Sequence, residues 1–157
     1  MKAKIVTLSA LLILAALFFQ NAATAQSVWA TQYLSSIGGN YLRKIQFVNQ
    51  MTGWACGGNG TLIKTTNGGE NWLIINAGTT EFLTALYFVD QNTGWIGAQD
   101  EFIRKTTNGG TTWYSAPVNI QSGWWAAEFS FINSLTGYVT SNTRVNKTTD
   151  GGLSWNT

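Results

Sequence analysis

Nine residues, Lys64-Thr65-Thr66-Asn67-Gly68-Gly69-Glu70-Asn71-Trp72, return as Lys105 to Trp113 (KTTNGGTTW) and again as Lys147 to Trp155 (KTTDGGLSW). The tryptophans stand 41 and 42 residues apart. A second block precedes each: Phe47 to Trp54 (FVNQMTGW), Phe88 to Trp95 (FVDQNTGW) and Phe131 to Tyr138 (FINSLTGY). Two blocks in fixed order, three times over, restrict the chain to stacked copies of one unit, because a unit this small cannot bury its apolar face alone. Each unit reads as four short strands. Leu42, Ile45 and Phe47 mark the first, matched by Leu83, Leu86 and Phe88 and by Ala126, Phe129 and Phe131. An Asn/Asp-x-x-Thr-Gly turn leads into a second strand that starts at an aromatic residue. The third strand ends at Lys-Thr-Thr. Asn-Gly-Gly or Asp-Gly-Gly then turns into a fourth near the tryptophan, a strong hairpin signal between apolar runs.

A repeat of roughly 40 residues carrying four strands is a propeller blade. The predicted fold is therefore all-β, with three blades of four antiparallel strands over residues 41–81, 82–123 and 124–157. The third is truncated, since only two residues follow Trp155, whereas the first two units continue through Leu73-Ile74-Ile75 and Tyr114-Ser115-Ala116. Residues 26–40 come before the first blade. Trp29 lies 13 residues ahead of Leu42, as Trp113 lies ahead of Ala126. Val28 to Leu34 should accordingly be the outer strand of a preceding or closing blade. Closed propellers have about 4–8 blades, and three would leave sheet edges open. The expectation is a fragment of a larger propeller. The alternative is a complete chain that pairs as a homodimer into one ring.

The turn blocks resemble the Asp-box, also called the BNR repeat, of sialidase-like and sortilin-like propellers. The residues that carry the resemblance are Thr65, Asn67, Gly69 and Trp72; Thr106, Asn108, Gly110 and Trp113; and Thr148, Asp150, Gly152 and Trp155. An Asn or Asp here accepts hydrogen bonds from amides of its own turn. The glycines should take left-handed conformations, and the resemblance implies a tryptophan packed between blades. Two of the three boxes carry Asn where the motif prefers Asp, which keeps the acceptor oxygen. With Thr-Gly-Trp upstream, residues Leu42 to Trp155 are similar to the photosystem II assembly and stability factor family of propellers. That resemblance implies a binding or assembly role.

Composition narrows the chemistry further. The chain has no histidine, which excludes Ser–His–Asp and Cys–His catalysis, histidine-ligated zinc and a histidine pH switch. A sialidase-like glycoside hydrolase would need an arginine cluster and a carboxylate pair. Arg43, Arg104 and Arg144 fall at different places in their repeats, and adjacent Asp100 and Glu101 would point to opposite faces of a strand. Neither a calcium loop nor a P-loop occurs, so no metal and no cofactor are expected. Asn cannot replace an acid/base carboxylate, so the boxes read as structural. The loops between second and third strands differ among the units, which suits a recognition surface. Its candidate binding residues are Asn59, Gln99, Asp100, Glu101, Asn142 and Trp124, for a protein partner or, in a lectin-like alternative, for a glycan stacked on Trp124. The overall reading is a non-catalytic binding scaffold.

The N-terminus reads as a cleaved leader. Lys2 and Lys4 precede an apolar run from Ile5 to Phe19, and Ala23-Thr24-Ala25 fits a cleavage site. Those 15 residues fall short of the ~20 that a bilayer-spanning helix needs, so after cleavage no stable membrane insertion is expected. An uncleaved signal anchor is the other reading. Cleavage after residue 25 leaves seven basic residues against seven acidic ones, with no basic stripe to attract nucleic acid. The destination is the periplasm, the cell surface or the medium of a bacterium. Cys56 is the single cysteine, so no internal disulfide forms, and it reads as a small buried residue. N-terminal sequencing of secreted protein should begin at Gln26; material that begins at Met1 contradicts the leader.

Overall fold

Repetition in sequence becomes repetition in space. The computed structural model describes residues 31–99, 102–116, 126–141 and 143–156. The leader, the start of the expected N-terminal strand, and Asp100, Glu101, Trp124 and Asn142 lie outside them. Residues 31–34 form no strand, and a 3-10 turn at Ser35–Ile37 follows. In the unit Leu34–Thr157, β1 (Leu42–Phe47), β2 (Gly53–Gly57), β3 (Leu62–Thr65) and β4 (Leu73–Ile74) form the first antiparallel sheet. The second contains β5 (Leu83–Phe88), β6 (Gly94–Ala98), β7 (Ile103–Thr106) and β8 (Tyr114–Ala116). The third contains β9 (Glu128–Phe131), β10 (Gly137–Thr140) and β11 (Val145–Thr148). Its fourth position is marked by a bridge from Lys147 to Asn156. Each sheet is a simple up-and-down meander in chain order, as the short polar turns require.

The turns explain the spacing of the two blocks. In the first turn of each sheet an Asn or Asp side chain accepts two amides ahead of it. Asn49 Oδ1 takes Met51 and Thr52 at 2.9 and 2.8 Å, Asp90 Oδ1 takes Asn92 and Thr93 at 2.7 Å each, and Asn133 Oδ1 takes Leu135 and Thr136 at 2.9 and 2.8 Å. That turn is then tied to the Gly-Gly turn beside it, through the Gly68, Gly109 and Gly151 amides onto Met51, Asn92 and Leu135 carbonyls. The Gly-Gly pairs have φ between +69° and +95°, which favours glycine.

The glycine of Thr-Gly-Trp answers a different need. Phe47, Phe88 and Phe131 pair across the ladder with Gly53, Gly94 and Gly137, and each ring lies over its glycine so closely that a Cβ there would collide with it. The glycine is absent of side chain so that the ring can lie flat.

Flat rings make the core. No sheet buries a core of its own; the apolar clusters lie at the two boundaries. One joins Trp54, Cys56 and Leu62 to Leu83, Leu86, Phe88 and Ile96. The other joins Ala85, Trp95 and Ile103 to Ala126, Phe129, Val139 and Trp155. At the first boundary Trp54 stacks on Phe88 at 3.7 Å and 6° and donates Nε1–H to the Gly109 carbonyl at 3.3 Å. At the second Trp95 stacks on Phe131 at 3.8 Å and 20° and donates to Gly151 at 3.2 Å. Two of the turn tryptophans lie at these boundaries, as the resemblance implies, Trp113 against the first cluster and Trp155 within the second, while the flat bridging contact is made by the tryptophans of the second strands. Trp72, Trp113 and Trp155 meet Phe47, Phe88 and Phe131 of their own sheets edge-on. Gly94→Ala should therefore push Phe88 off its stack and destabilise the fold by about 1–3 kcal/mol, the usual cost of overpacking. Urea unfolding measures it; an unchanged midpoint would refute the assigned role of that glycine.

Candidate functional site

The two ends of the sheets have different chemistry. At one end lie the Asn/Asp-x-x-Thr-Gly turns and the Gly-Gly turns; at the other lie the loops between second and third strands and the connections from sheet to sheet. Hydrogen bonds join the latter pair. Gly60 N donates to Glu81 O at 2.8 Å, Gln99 N to Phe82 O at 3.0 Å and Gly58 N to Tyr41 O at 3.0 Å. This second end is called the linker face here.

At the Gly-Gly end, polar atoms are committed to architecture. Thr65 Oγ1 accepts from the Gly69 amide at 2.9 Å and donates to Asn67 Oδ1 at 2.9 Å, and that oxygen accepts the Asn71 amide at 3.0 Å. Thr106, Gly110, Asn108 and the Thr112 amide repeat the pattern. So do Thr148, Gly152, Asp150 and the Ser154 amide. Asp150 has a second oxygen, which accepts the Ser154 hydroxyl at 2.6 Å. Burial alone would raise its pKa, but the Ser154 hydroxyl and amide, the Thr148 hydroxyl and the Leu153 amide outweigh that and hold the carboxyl well below its usual range. Lys64 and Lys105 are pulled below the usual lysine range by burial over the boundary; for Lys105 the Asp150 carboxylate offsets part of it. Cys56, buried and 3.9 Å from the Leu83 carbonyl, has its thiol pushed up to about 12 by burial, which leaves it without thiolate character.

The linker face holds the other candidates. Asn59 sits exposed in a 3-10 turn with φ 51° and donates Nδ2–H to Asn40 Oδ1 at 2.8 Å. Gln99 is exposed just after β6 of the second sheet. Neither lines the depression that the linker face contains. That depression, of about 700 Å³, is lined by Asn76, Gly78, Thr79, Thr80, Glu81 and Arg104. Its walls are preorganised: Asn76 Oδ1 accepts the Gly78 amide at 2.8 Å, Thr79 Oγ1 accepts the Glu81 amide at 3.1 Å, and Ala77 is anchored in the core. Arg104 reaches it from β7, only 8% exposed, its guanidinium carbon 5.8 Å from the ring of half-exposed Phe102. The sequence reading missed this arginine as a site. Its signal was a position shared with Ile63 and Asn146, where a charge interrupts a buried row. Among the described residues no group of three or more His, Cys, Asp or Glu is placed to hold a metal.

No protein-family model and no curated protein sequence matches the chain. Solved structures do. YCF48 bound to D1 peptide aligns with a TM-score of 0.66 at 21% identity, covering 74% of this chain and 40% of that one. The fold is a propeller's. YCF48 from Cyanidioschyzon merolae aligns at 0.64 and 17% identity over 74% of this chain and 39% of its own, and an ancestral GH74 enzyme at 0.61 and 20% over 74% and 18%. The chain thus spans about two fifths of YCF48. Its three sheets are blades of this kind.

The lowered Asp150 sets a sign for acid behaviour. A carboxyl held below its unfolded value of 3.8 contributes stability that is fully present above that value and is lost as pH falls towards the folded one. Asp150→Asn should lose less stability than the parent between pH 5 and pH 3, by chemical denaturation at each pH. Parallel curves would show that the carboxylate adds nothing to its turn.

Proposed function

We propose that the chain is a secreted, non-catalytic propeller module that binds an extended protein segment on its linker face, with Arg104 as the anchor for a carboxylate of that segment. One observation carries this: Arg104, buried in β7, lines an open, preorganised depression together with one acidic side chain, Glu81. Arginine forms paired hydrogen bonds to a carboxylate in fixed geometry, which gives orientation as well as affinity. The likeness to YCF48, solved with a D1 peptide, supports a peptide as a ligand for blades of this shape. The leader supports export.

A non-catalytic role is supported by the chemistry of the turns. Asn67 and Asn108 cannot exchange a proton, and Asp150 is held ionised by donors from its own turn, so it cannot act as a general acid at neutral pH. A carbohydrate-binding reading has the likeness to a GH74 enzyme and the exposed Phe102 ring in its favour, with Trp124 as the second stacking surface.

Panning linear peptide libraries on the protein should enrich acidic sequences. Arg104→Gln should weaken those peptides about tenfold or more, as expected for a hydrogen bond to a charged group, with tryptophan fluorescence confirming the fold. Binding on a glycan array that Trp124→Ala abolishes, with no peptide enrichment, would replace this reading with the carbohydrate one.

A further inference from the structure

The depression on the linker face is lined by two groups of opposite charge, and different elements hold them. Arg104 belongs to β7, whereas Glu81 belongs to the connection that leads into β5. The backbone of Glu81 is fixed from both sides. Its amide donates to Thr79 Oγ1 at 3.1 Å, and its carbonyl accepts the Gly60 amide at 2.8 Å. Any residue at this position would make those two bonds, so the turn does not need the carboxylate. Glu81 is exposed and forms no ion pair with a described residue.

A carboxylate in the lining changes what the depression can select. Like charges brought together at an interface repel, so Glu81 opposes a ligand that brings carboxylates alone. It favours a ligand that brings a cation as well. Extended backbone sets where that cation sits. Successive side chains of an extended segment point to opposite sides, and residues two apart point the same way, about 6.5 Å from each other along the chain. A segment lying over the depression therefore directs every second side chain into it.

We propose that Glu81 is a specificity residue of the linker face: the depression takes a segment in which an acidic residue and a Lys or Arg stand two apart, the acid on Arg104 and the base on Glu81. This rests on the binding role proposed above and narrows its ligand from an acidic segment to a charge-paired one. Arg104 gives the carboxylate a fixed orientation. Glu81 then reads the sign of the next side chain on the same side, which Arg104 alone cannot do.

Labelled protein on an array of end-capped heptapeptides tests this, the peptides carrying Asp alone, Asp and Lys two apart, or two Asp residues two apart on a Gly-Ser background. Asp with Lys should bind about threefold tighter than Asp alone, the effect of an exposed ion pair. Glu81→Gln should erase that difference. Glu81→Lys should reverse it in favour of the two-Asp peptides, a gain that a misfolded variant cannot show. Asp peptides that bind through Arg104 but gain nothing from Lys, or a preference for Lys that survives Glu81→Gln, would overturn this inference and leave the binding role standing. Failure of every Asp peptide to bind would overturn both. Displacement of the peptides by free lysine or glutamate at equal concentration would assign the depression to zwitterionic amino acids and overturn the segment.

Discussion

Every boundary between blades rests on one tryptophan laid flat on a phenylalanine of the next blade, with its N–H directed at a glycine carbonyl of that blade's turn. Two terms add there to plain burial of the ring. Stacked aromatics contribute about 0.5–1.5 kcal/mol beyond the area they bury and the hydrogen bond about 1 kcal/mol, within the roughly 3–5 kcal/mol that removing such a ring typically costs. The remaining repeated residues follow from this contact. Gly53, Gly94 and Gly137 leave room for the phenylalanine to lie flat. The edge-on turn tryptophans fix the ring's tilt. Lys64 Nζ shares the Gly109 carbonyl with Trp54 at 3.3 Å.

Division of labour between the two ends of the blades comes from hydrogen-bond supply. At the Gly-Gly end, side-chain oxygens of Thr, Asn and Asp are spent on amides of their own turns, so the chain needs few charges to stay hydrated and has few polar atoms to spare. At the linker face the backbone is satisfied mainly by backbone, as Gly60 to Glu81 and Gln99 to Phe82 show. That contrast in how the two ends satisfy their backbones is the physical argument behind the binding face proposed above.

The local features were legible in the sequence because they obey short-range rules. Asn-Gly-Gly, Thr-Gly-Trp and the 41-residue period gave strands, turns and the blade itself. What reaches across a boundary was not legible. Gln46 clamps the Phe88 backbone from both sides, donating to its carbonyl at 2.9 Å and accepting its amide at 2.8 Å. In the next blade the same place is held by Tyr87, whose hydroxyl donates to Phe131 O at 3.5 Å. Two unrelated side chains do one job there, and no pattern in the chain announces it. Trp54 and Trp95 were visible as strand residues, but their direction, forward into the next blade, depends on which face of the sheet meets a neighbour. Arg104 was hidden differently, as a single departure inside a repeat whose regularity drew attention to what recurs.

The tryptophan contact also has a direction, and direction has a consequence. The first two blades each give an indole N–H forward and the second and third each accept one from behind, so a blade behaves like a monomer with unlike ends. Duplicating a tryptophan-bearing unit such as the second changes how many joints exist without altering any joint, since the new neighbours present the same donor and the same acceptor. A gene encoding this chain can therefore lengthen or shorten its array in steps of one repeat while the linker-face loops diverge independently. The architecture is built to be edited by the unit and tuned by the loop.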